Sequence, residues 1–233
     1  MHVTAIVPAA GAGVRFGGLT PKQYLPLAGL PLLAWTLKAL AASGRVDCLI
    51  LVAPPGQEAR CRAEVLEPCG LSVDQVLTGG ADRQASVCAG LAGASAATDL
   101  ILVHDGARPL VTPEIIRTAV QAAGIEGGAV VAVPVTDTIK AADLEGRVVE
   151  TLPRGRLWGA QTPQVFRAAW LREAHQRALA DGFRGTDDSV LVERLGYPVR
   201  LVSGSPENLK ITTMADLVRA EQILRGRMTC ESE

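Results

Sequence analysis

The strongest constraint on the fold of this chain is an alternation. Short apolar runs bounded by Gly and Pro are separated by stretches whose apolar residues recur at helical spacing. Strands are predicted at residues 3–7, 49–53, 73–77, 100–103 and 129–133. Helices are predicted between them, at 31–44, 57–66, 82–91 and 112–123. Asp82 and Thr112 suit helix caps, and Pro31 and Pro113 suit a first helical position. Strands and helices alternating at this pitch predict an α/β fold, a mostly parallel sheet with helices on both faces. In such sheets ligands sit at the carboxyl ends of the strands.

Three segments fall at those ends. The first strand stops at Pro8 and opens into a loop of small residues from Ala9 to Gly18 that also carries Arg15, with Lys22 just beyond. Its backbone N–H groups have few side chains in the way, which suits a phosphate. Two common phosphate motifs fail here. The third glycine of the dinucleotide fingerprint falls on Phe16, and the lysine of the P-loop falls on Leu19. What remains is a cradle for an anionic nucleotide, or a solvated glycine turn. Gly79-Gly80 and the segment from His104 to Arg108 lie at two more strand ends, so all three should converge.

The alternation breaks at Asp137. Residues 138–142 and 147–151 flank Asp143-Leu144-Glu145-Gly146 as a two-stranded hairpin with no helix to cover it. A lone hairpin is marginal in water, so it should pack against something, a second subunit being one candidate. Further helices are predicted at 168–179, 187–195 and 214–224, a strand at 199–202 and a short strand at 209–211, with the tail fraying from Gly226. No repeat or linker divides residues 1–233, which predicts one domain with a hairpin arm at about 137–152.

Composition narrows the function classes. The chain has 233 residues, 48% hydrophobic and 20% charged, as an ordinary globular protein has. A formal net charge of −1 offers no global basic field for nucleic acid. The five cysteines follow no C-x-x-C or zinc spacing, so reduced thiols in the cytoplasm are expected. Strand-like sequence begins at Val3, so no signal peptide is expected, and no apolar run approaches a membrane span. Only four of the basic residues are lysines: Lys22, Lys38, Lys140 and Lys210. A lysine presents a compact charge that fits a phosphate where a planar guanidinium would not.

Taken in order, a set of short motifs resembles the 2-C-methyl-D-erythritol 4-phosphate cytidylyltransferases of the non-mevalonate isoprenoid pathway. They are Pro8-Ala9-Ala10-Gly11 with Arg15; Pro21-Lys22-Gln23-Tyr24; Gly79-Gly80 with Arg83 and Ser86-Val87; and His104-Asp105-Gly106-Ala107-Arg108-Pro109. Asp137-Thr138-Ile139-Lys140, Arg154, Leu157-Trp158, Gln161-Thr162-Pro163-Gln164, Thr186-Asp187 and Asn208-Leu209-Lys210 complete the set across the whole chain. Gly106 stands where alanine is frequent, and Asp82 lies one place later than the acid of some members. The resemblance implies a Rossmann-like nucleotidyltransferase fold and a homodimer joined through the hairpin arm. It also implies Mg²⁺ and the transfer of CMP from CTP to a sugar-alcohol phosphate, with release of pyrophosphate. A ribitol 5-phosphate cytidylyltransferase and a nucleotide-binding regulatory module without turnover are the alternatives.

A phosphate monoester is mostly dianionic at neutral pH, so the nucleophile needs no general base. The task is to bring two anions together and to stabilise charge on the α-phosphate. By resemblance, Arg15 and Lys22 stabilise the triphosphate, while Arg154 and Lys210 hold the substrate phosphate. Asp105 lies near the metal and the sugar phosphate; Arg108, Thr138, Thr162 and Thr186 are further substrate contacts. Ala9, Ala10, Gly11, Gly80 and Ser86 surround the nucleoside. Thr138 and Arg154 are expected from the partner chain. Each has a plainer reading: Asp105 with Arg108 as an ion pair, Lys210 paired with Glu207, Thr186-Asp187 as a helix cap. His104 is expected to be a structural hydrogen-bonder, and His175 has no evident chemical company.

Overall fold

The computed structural model describes residues 1–11 and 21–230. Its centre is a seven-stranded sheet built from β1 (Val3–Pro8), β4 (Cys48–Ala53), β5 (Gln75–Thr78), β6 (Leu100–Val103), β7 (Gly128–Pro134), β10 (Trp158–Arg167) and β11 (Arg200–Ser203), in the order β11-β7-β10-β6-β1-β4-β5. All neighbouring pairs are parallel except those made by β10, which runs antiparallel to both β6 and β7. Two short strands, β2 (Pro26–Leu27) and β3 (Leu30–Pro31), pair with each other, as do β8 (Lys140–Ala142) and β9 (Val148–Thr151).

The pleat of β1 shows why both faces carry helices. Val3, Ala5 and Val7 point to one side, where α1 (Leu32–Ala42) and α4 (Pro113–Glu126) cover them with Leu33, Leu37, Ile116 and Val120. Ile6 points to the other side, beneath Val87 and Leu91 of α3 (Arg83–Gly93). Leu171 and Ala174 of α5 (Ala168–Ala180) and Leu191 of α6 (Asp188–Glu193) extend that layer. Asp82 caps α3 by accepting from Ala85 N, and Thr112 caps α4 ahead of Pro113. The segment predicted as one helix at 57–66 is α2 (Glu58–Cys61) followed by a π-type turn at Arg62–Leu66. The last helix, α7 (Met214–Cys230), packs Leu217, Ala220 and Leu224 on Leu27, Leu32 and Leu110.

One strand goes unpredicted, and two expectations are corrected. Residues 158–167 carry no strand signal, yet β10 is ten residues long and lies inside the sheet. Its Gly, Gln and Pro residues break the period. Pro163, which has no N–H for a ladder, falls in the register shift between Ala160 and Gln164. Residues 209–211 are not a strand; Ile211 N donates to Ala107 O and its side chain is buried. The chain does not fray from Gly226: α7 continues to Cys230, held where Arg227 donates to Leu110 O at 3.1 Å and to Glu207 Oε2 at 2.6 Å.

Candidate active site

Two cavities open at the carboxyl ends of β1, β5 and β6. The first, of about 210 Å³, is lined by Ala9, Ala10 and Gly11 after β1, by Lys22 and Gln23, and by Gly80, Arg83 and Ser86 around the start of α3. The second, of about 250 Å³, is lined by Arg108, Gln161, Thr162, Gln164, Thr186 and Asp187. Arg83, Asp105 and Lys210 belong to both walls. The cavities therefore meet at one carboxylate and two cations.

That junction is built from long-range pairs. Asp105 Oδ1 is 2.9 Å from Arg83 Nε, and Asp105 Oδ2 is 2.9 Å from Lys210 Nζ. Arg108 Nε stands 3.7 Å from Oδ2. Burial pushes the Asp105 carboxyl up, but Arg83 and Lys210 outweigh it and hold the group well below the usual carboxylate range. Lys210 is presented by its neighbours: Asn208 and Ile211 are fully buried, so the side chain between them is directed to the cavity. Glu207 pairs with Arg227, not with Lys210. Lys22 Nζ donates to Ile211 O at 3.0 Å, which ties the turn at Lys22–Tyr24 to the same segment.

The second cavity rests on a polar scaffold. Asp105 N donates to Thr162 Oγ1 at 3.0 Å. Thr162 Oγ1 lies 3.0 Å from His104 Nδ1, and His104 Nε2 lies 3.2 Å from Arg108 O. The carbonyl can only accept, so Nε2 donates to it, and in the neutral ring Nδ1 then accepts from the hydroxyl. Burial lowers the His104 pKa to about 4 and so keeps the ring neutral. It is the structural hydrogen-bonder expected. Asn208 Nδ2 donates to Gln161 Oε1 and to Thr162 O at 3.0 and 2.9 Å, and Arg108 Nη1 donates to Asn208 O at 2.7 Å. Asp187 caps α6 through Val190 N and accepts from Gln164 Nε2 at 2.8 Å.

At the first cavity the turn after β5 is clamped to α3. Gly80 N donates to Ser86 Oγ, which donates to Asp82 O at 2.8 Å. A Cβ on Gly79 would stand 2.3 Å from Ala10 Cβ, so the loops after β1 and β5 approach closely only because residue 79 is glycine.

Of the residues singled out in the sequence, Ala9, Ala10, Gly11, Lys22, Gly80, Ser86, Asp105 and Lys210 line the first cavity. Asp105, Arg108, Thr162, Thr186 and Lys210 line the second. Thr138 and Arg154 line neither: both are exposed beside the β8–β9 hairpin, where Arg154 Nη1 donates to Thr136 O at 2.7 Å. Arg15 lies outside the described residues.

Residues 3–226 match the family model of 2-C-methyl-D-erythritol 4-phosphate cytidylyltransferase, IspD. The chain belongs to the IspD family. A Pelotomaculum thermopropionicum protein carrying that enzyme name is 47% identical over 226 residues, 97% of this chain and 95% of its own. Among solved structures, the 4-diphosphocytidyl-2C-methyl-D-erythritol synthase of Anaerococcus prevotii superimposes with a TM-score of 0.84 at 29% identity, covering 96% of this chain and 98% of the other. The 2-C-methyl-D-erythritol 4-phosphate cytidylyltransferase of Thermus thermophilus gives 0.79 at 39% identity, covering 97% and 100%.

Within this IspD chain the sequence reading assigned no role to Arg83 or Asp188. Arg83 Nη1 lies 2.8 Å from Asp188 Oδ2, so this one guanidinium links Asp105 to a second buried carboxylate. Burial acts to lower the Arg83 pKa, but Asp188 and Asp105 outweigh it and raise it. His175 is not alone either: it contacts both Asp188 and Cys88. A signal was present in the adjacent acids Asp187-Asp188. One caps α6, and the other, starting an amphipathic helix, faces inward and needs a cation.

Proposed function

We infer that this protein transfers CMP from CTP to 2-C-methyl-D-erythritol 4-phosphate, giving 4-diphosphocytidyl-2-C-methyl-D-erythritol and pyrophosphate. The observation that carries the reading is the meeting of two cavities at Lys210, Asp105 and Arg83, in a chain of the IspD family. The first cavity takes the nucleotide, with Ala9, Ala10, Gly11, Gly80 and Ser86 around the nucleoside. The second takes the sugar phosphate, with Arg108, Thr162 and Thr186 against it.

The attacking group is a phosphate oxygen, already ionised at neutral pH, and it displaces pyrophosphate at the α-phosphorus of CTP. No proton has to be removed, so the chain's work is positioning and charge stabilisation. Lys210 at the junction offsets the repulsion between the incoming dianion and the triphosphate. Lys22 and Arg15 stabilise the charge that grows on the α-phosphate and the leaving group. Asp105 holds Lys210 and Arg83 in place and orients the sugar.

Asp105 also fits a Mg²⁺ ion. Its carboxyl is ionised, and each oxygen keeps a lone pair beyond its contact with Arg83 or Lys210. No trio of His, Cys, Asp or Glu among the described residues could hold a metal unaided, and Mg²⁺ on nucleotides takes its other ligands from phosphates and water. When bound, it neutralises charge on the triphosphate oxygens.

The working unit is a homodimer. The β8–β9 hairpin has no helix over it, and its Val148 and Val149 are 62% and 69% exposed. Laid across a partner, it would bury those residues and carry Thr138 and Arg154 towards the partner's second cavity. No described helix is long and apolar enough to cross a membrane. The enzyme works in the cytoplasm, where Cys48, Cys61, Cys69 and Cys88, all unpaired, stay as thiols.

Pyrophosphate release from CTP tests the reading, with methylerythritol phosphate and ribitol 5-phosphate as rival acceptors. Turnover is expected with the first. Lys210→Ala is expected to fold and to lose about 10²–10³-fold in turnover, as removal of one group that stabilises transition-state charge does. Turnover with ribitol 5-phosphate alone, or an unchanged Lys210→Ala rate, overturns it.

A further inference from the structure

Away from the two cavities, the described residues hold another cluster of nucleophilic and titratable side chains. Cys88 on α3 faces α5, and its Sγ lies 3.1 Å from His175 Nδ1. The other ring nitrogen, Nε2, lies 3.1 Å from Asp188 Oδ1 at the start of α6. His175 and Asp188 are buried, at 3% and 1% exposure, whereas Cys88 is half-buried. Cys88 and His175 line a groove of about 250 Å³ between α3 and α5, together with Leu91, Arg172, Gln176 and Leu179. Thiol, imidazole and carboxylate therefore stand in line, with the sulfur at the open end.

The proton inventory gives this line a direction. Asp188 is acceptor-only, because Arg83 and His175 hold it ionised against the effect of burial. His175 Nε2 must then donate to it, which leaves Nδ1 to exchange a proton with the sulfur. Burial works against a charged His175, but the bonds to Asp188 and Cys88 outweigh it and push its pKa up to about 9. His175 Nδ1 stands within hydrogen-bond reach of the sulfur, placed to pass a proton between Cys88 and a leaving thiolate. The contrast is Cys61, which is fully buried against the Tyr24 hydroxyl and is pushed up by that burial.

We propose that Cys88 is a nucleophilic thiol, activated by His175 and Asp188, that is thiolated in the α3–α5 groove by small disulfides bearing carboxylates. The sulfur attacks one sulfur of the disulfide. A Cys88 mixed disulfide forms, the original S–S bond breaks, and the other half leaves as a thiol that takes the Cys88 proton by way of His175 Nδ1. A second thiol reverses the step. Arg172 supplies the preference for carboxylates: it lines the groove and is held there by donating to Ala94 O and Ser95 O at 2.9 and 3.0 Å. The line of residues does not extend to acyl transfer. Cys88 sits inside α3, where helical hydrogen bonds already take the neighbouring N–H groups and leave no oxyanion hole.

The test needs no activity assay. The intact protein is treated with oxidised glutathione, and mixed disulfides are timed by peptide mass mapping. Cys88 is expected to react about ten-fold or more faster than Cys48 and Cys69, which are also half-buried. His175→Gln removes that lead, and Arg172→Ala slows oxidised glutathione but not the neutral bis(hydroxyethyl) disulfide. Equal rates at the three thiols in the unsubstituted protein overturn the proposal, whether or not the variants fold. A lead that survives His175→Gln overturns the activation, and indifference to Arg172→Ala overturns the carboxylate preference.

Discussion

At the scale of single residues, the site depends on pairs that neither partner could form alone. Asp105 could not stay ionised at 6% exposure without Arg83 and Lys210, and Arg83, itself half-buried, is held between Asp105 and Asp188. Asp188→Asn keeps the shape but removes one charge from this line. It is expected to lower turnover several-fold although Asp188 lines neither substrate cavity, with Asp105→Asn on top adding less than it does alone. A double-mutant cycle on turnover measures that coupling. His175 carries a pH signature. Its pKa is raised from 6.5 to about 9 on folding, so its contribution to stability is complete below pH 6.5 and is lost as pH rises through about 9. Thermal unfolding followed by circular dichroism should show the melting temperature falling over that range, and His175→Gln should flatten the fall. Little of this was legible beforehand. Asp105 stood out because it follows a predicted strand, and Lys22 and Lys210 because lysines are scarce in this chain and both fall in motifs that carry the family resemblance. His175 and Asp188 did not, because their significance is a contact between α5 and α6 that no spacing encodes.

At the scale of elements, close approach of backbones sets the shape of the site. A Cβ on Gly90 of α3 would stand 2.4 Å from Ile6 Cγ2 of β1, so the helix lies as near the sheet as a residue without a side chain permits. Gly90→Ala is expected to cost about 1–3 kcal/mol in urea unfolding, as overpacking does. Gly79→Ala acts at the cavity: it drives the loop after β5 off the loop after β1, and should raise KM for CTP more than it lowers kcat. Steady-state kinetics separates the two effects. Helix caps and parallel strands were legible, since Asp82, Thr112-Pro113 and the apolar runs act through nearest neighbours. β10 was not. With few β-branched residues and a proline at its bulge, it is a strand because β6 and β7 leave a place between them. Its bulge at residues 161–163 then sets Thr162 beside Asp105 and Gln161 against Asn208.

At the scale of the whole molecule, the β8–β9 hairpin is the feature with exposed apolar side chains and no helix over it. Asp143 Oδ1 accepts from Glu145 N and Arg147 N, so the turn is well made, yet its apolar side chains lie open. If the arm completes a partner's site, Lys22→Ala and Arg154→Ala subunits will each be nearly inactive but will recover part of the activity when refolded together. Mixed dimers then hold one site free of both substitutions. Sedimentation should give twice the chain mass, and half that mass once residues 137–152 are replaced by a short glycine linker. The absence of any recovery on mixing would remove Arg154 from a shared site.

The amino-acid sequence alone determined the α/β class, the strand ends at which a ligand must sit, and the hairpin. Those features follow from hydrophobic period, turn chemistry and capping, which act over a few residues. Only the tertiary structure decided that β10 enters the sheet, that Lys210 faces Asp105 rather than Glu207, and that Cys88, His175, Asp188 and Arg83 stand in line behind the site. Buried polar groups must find partners wherever the fold brings them, and those partners come from elements far apart along the chain.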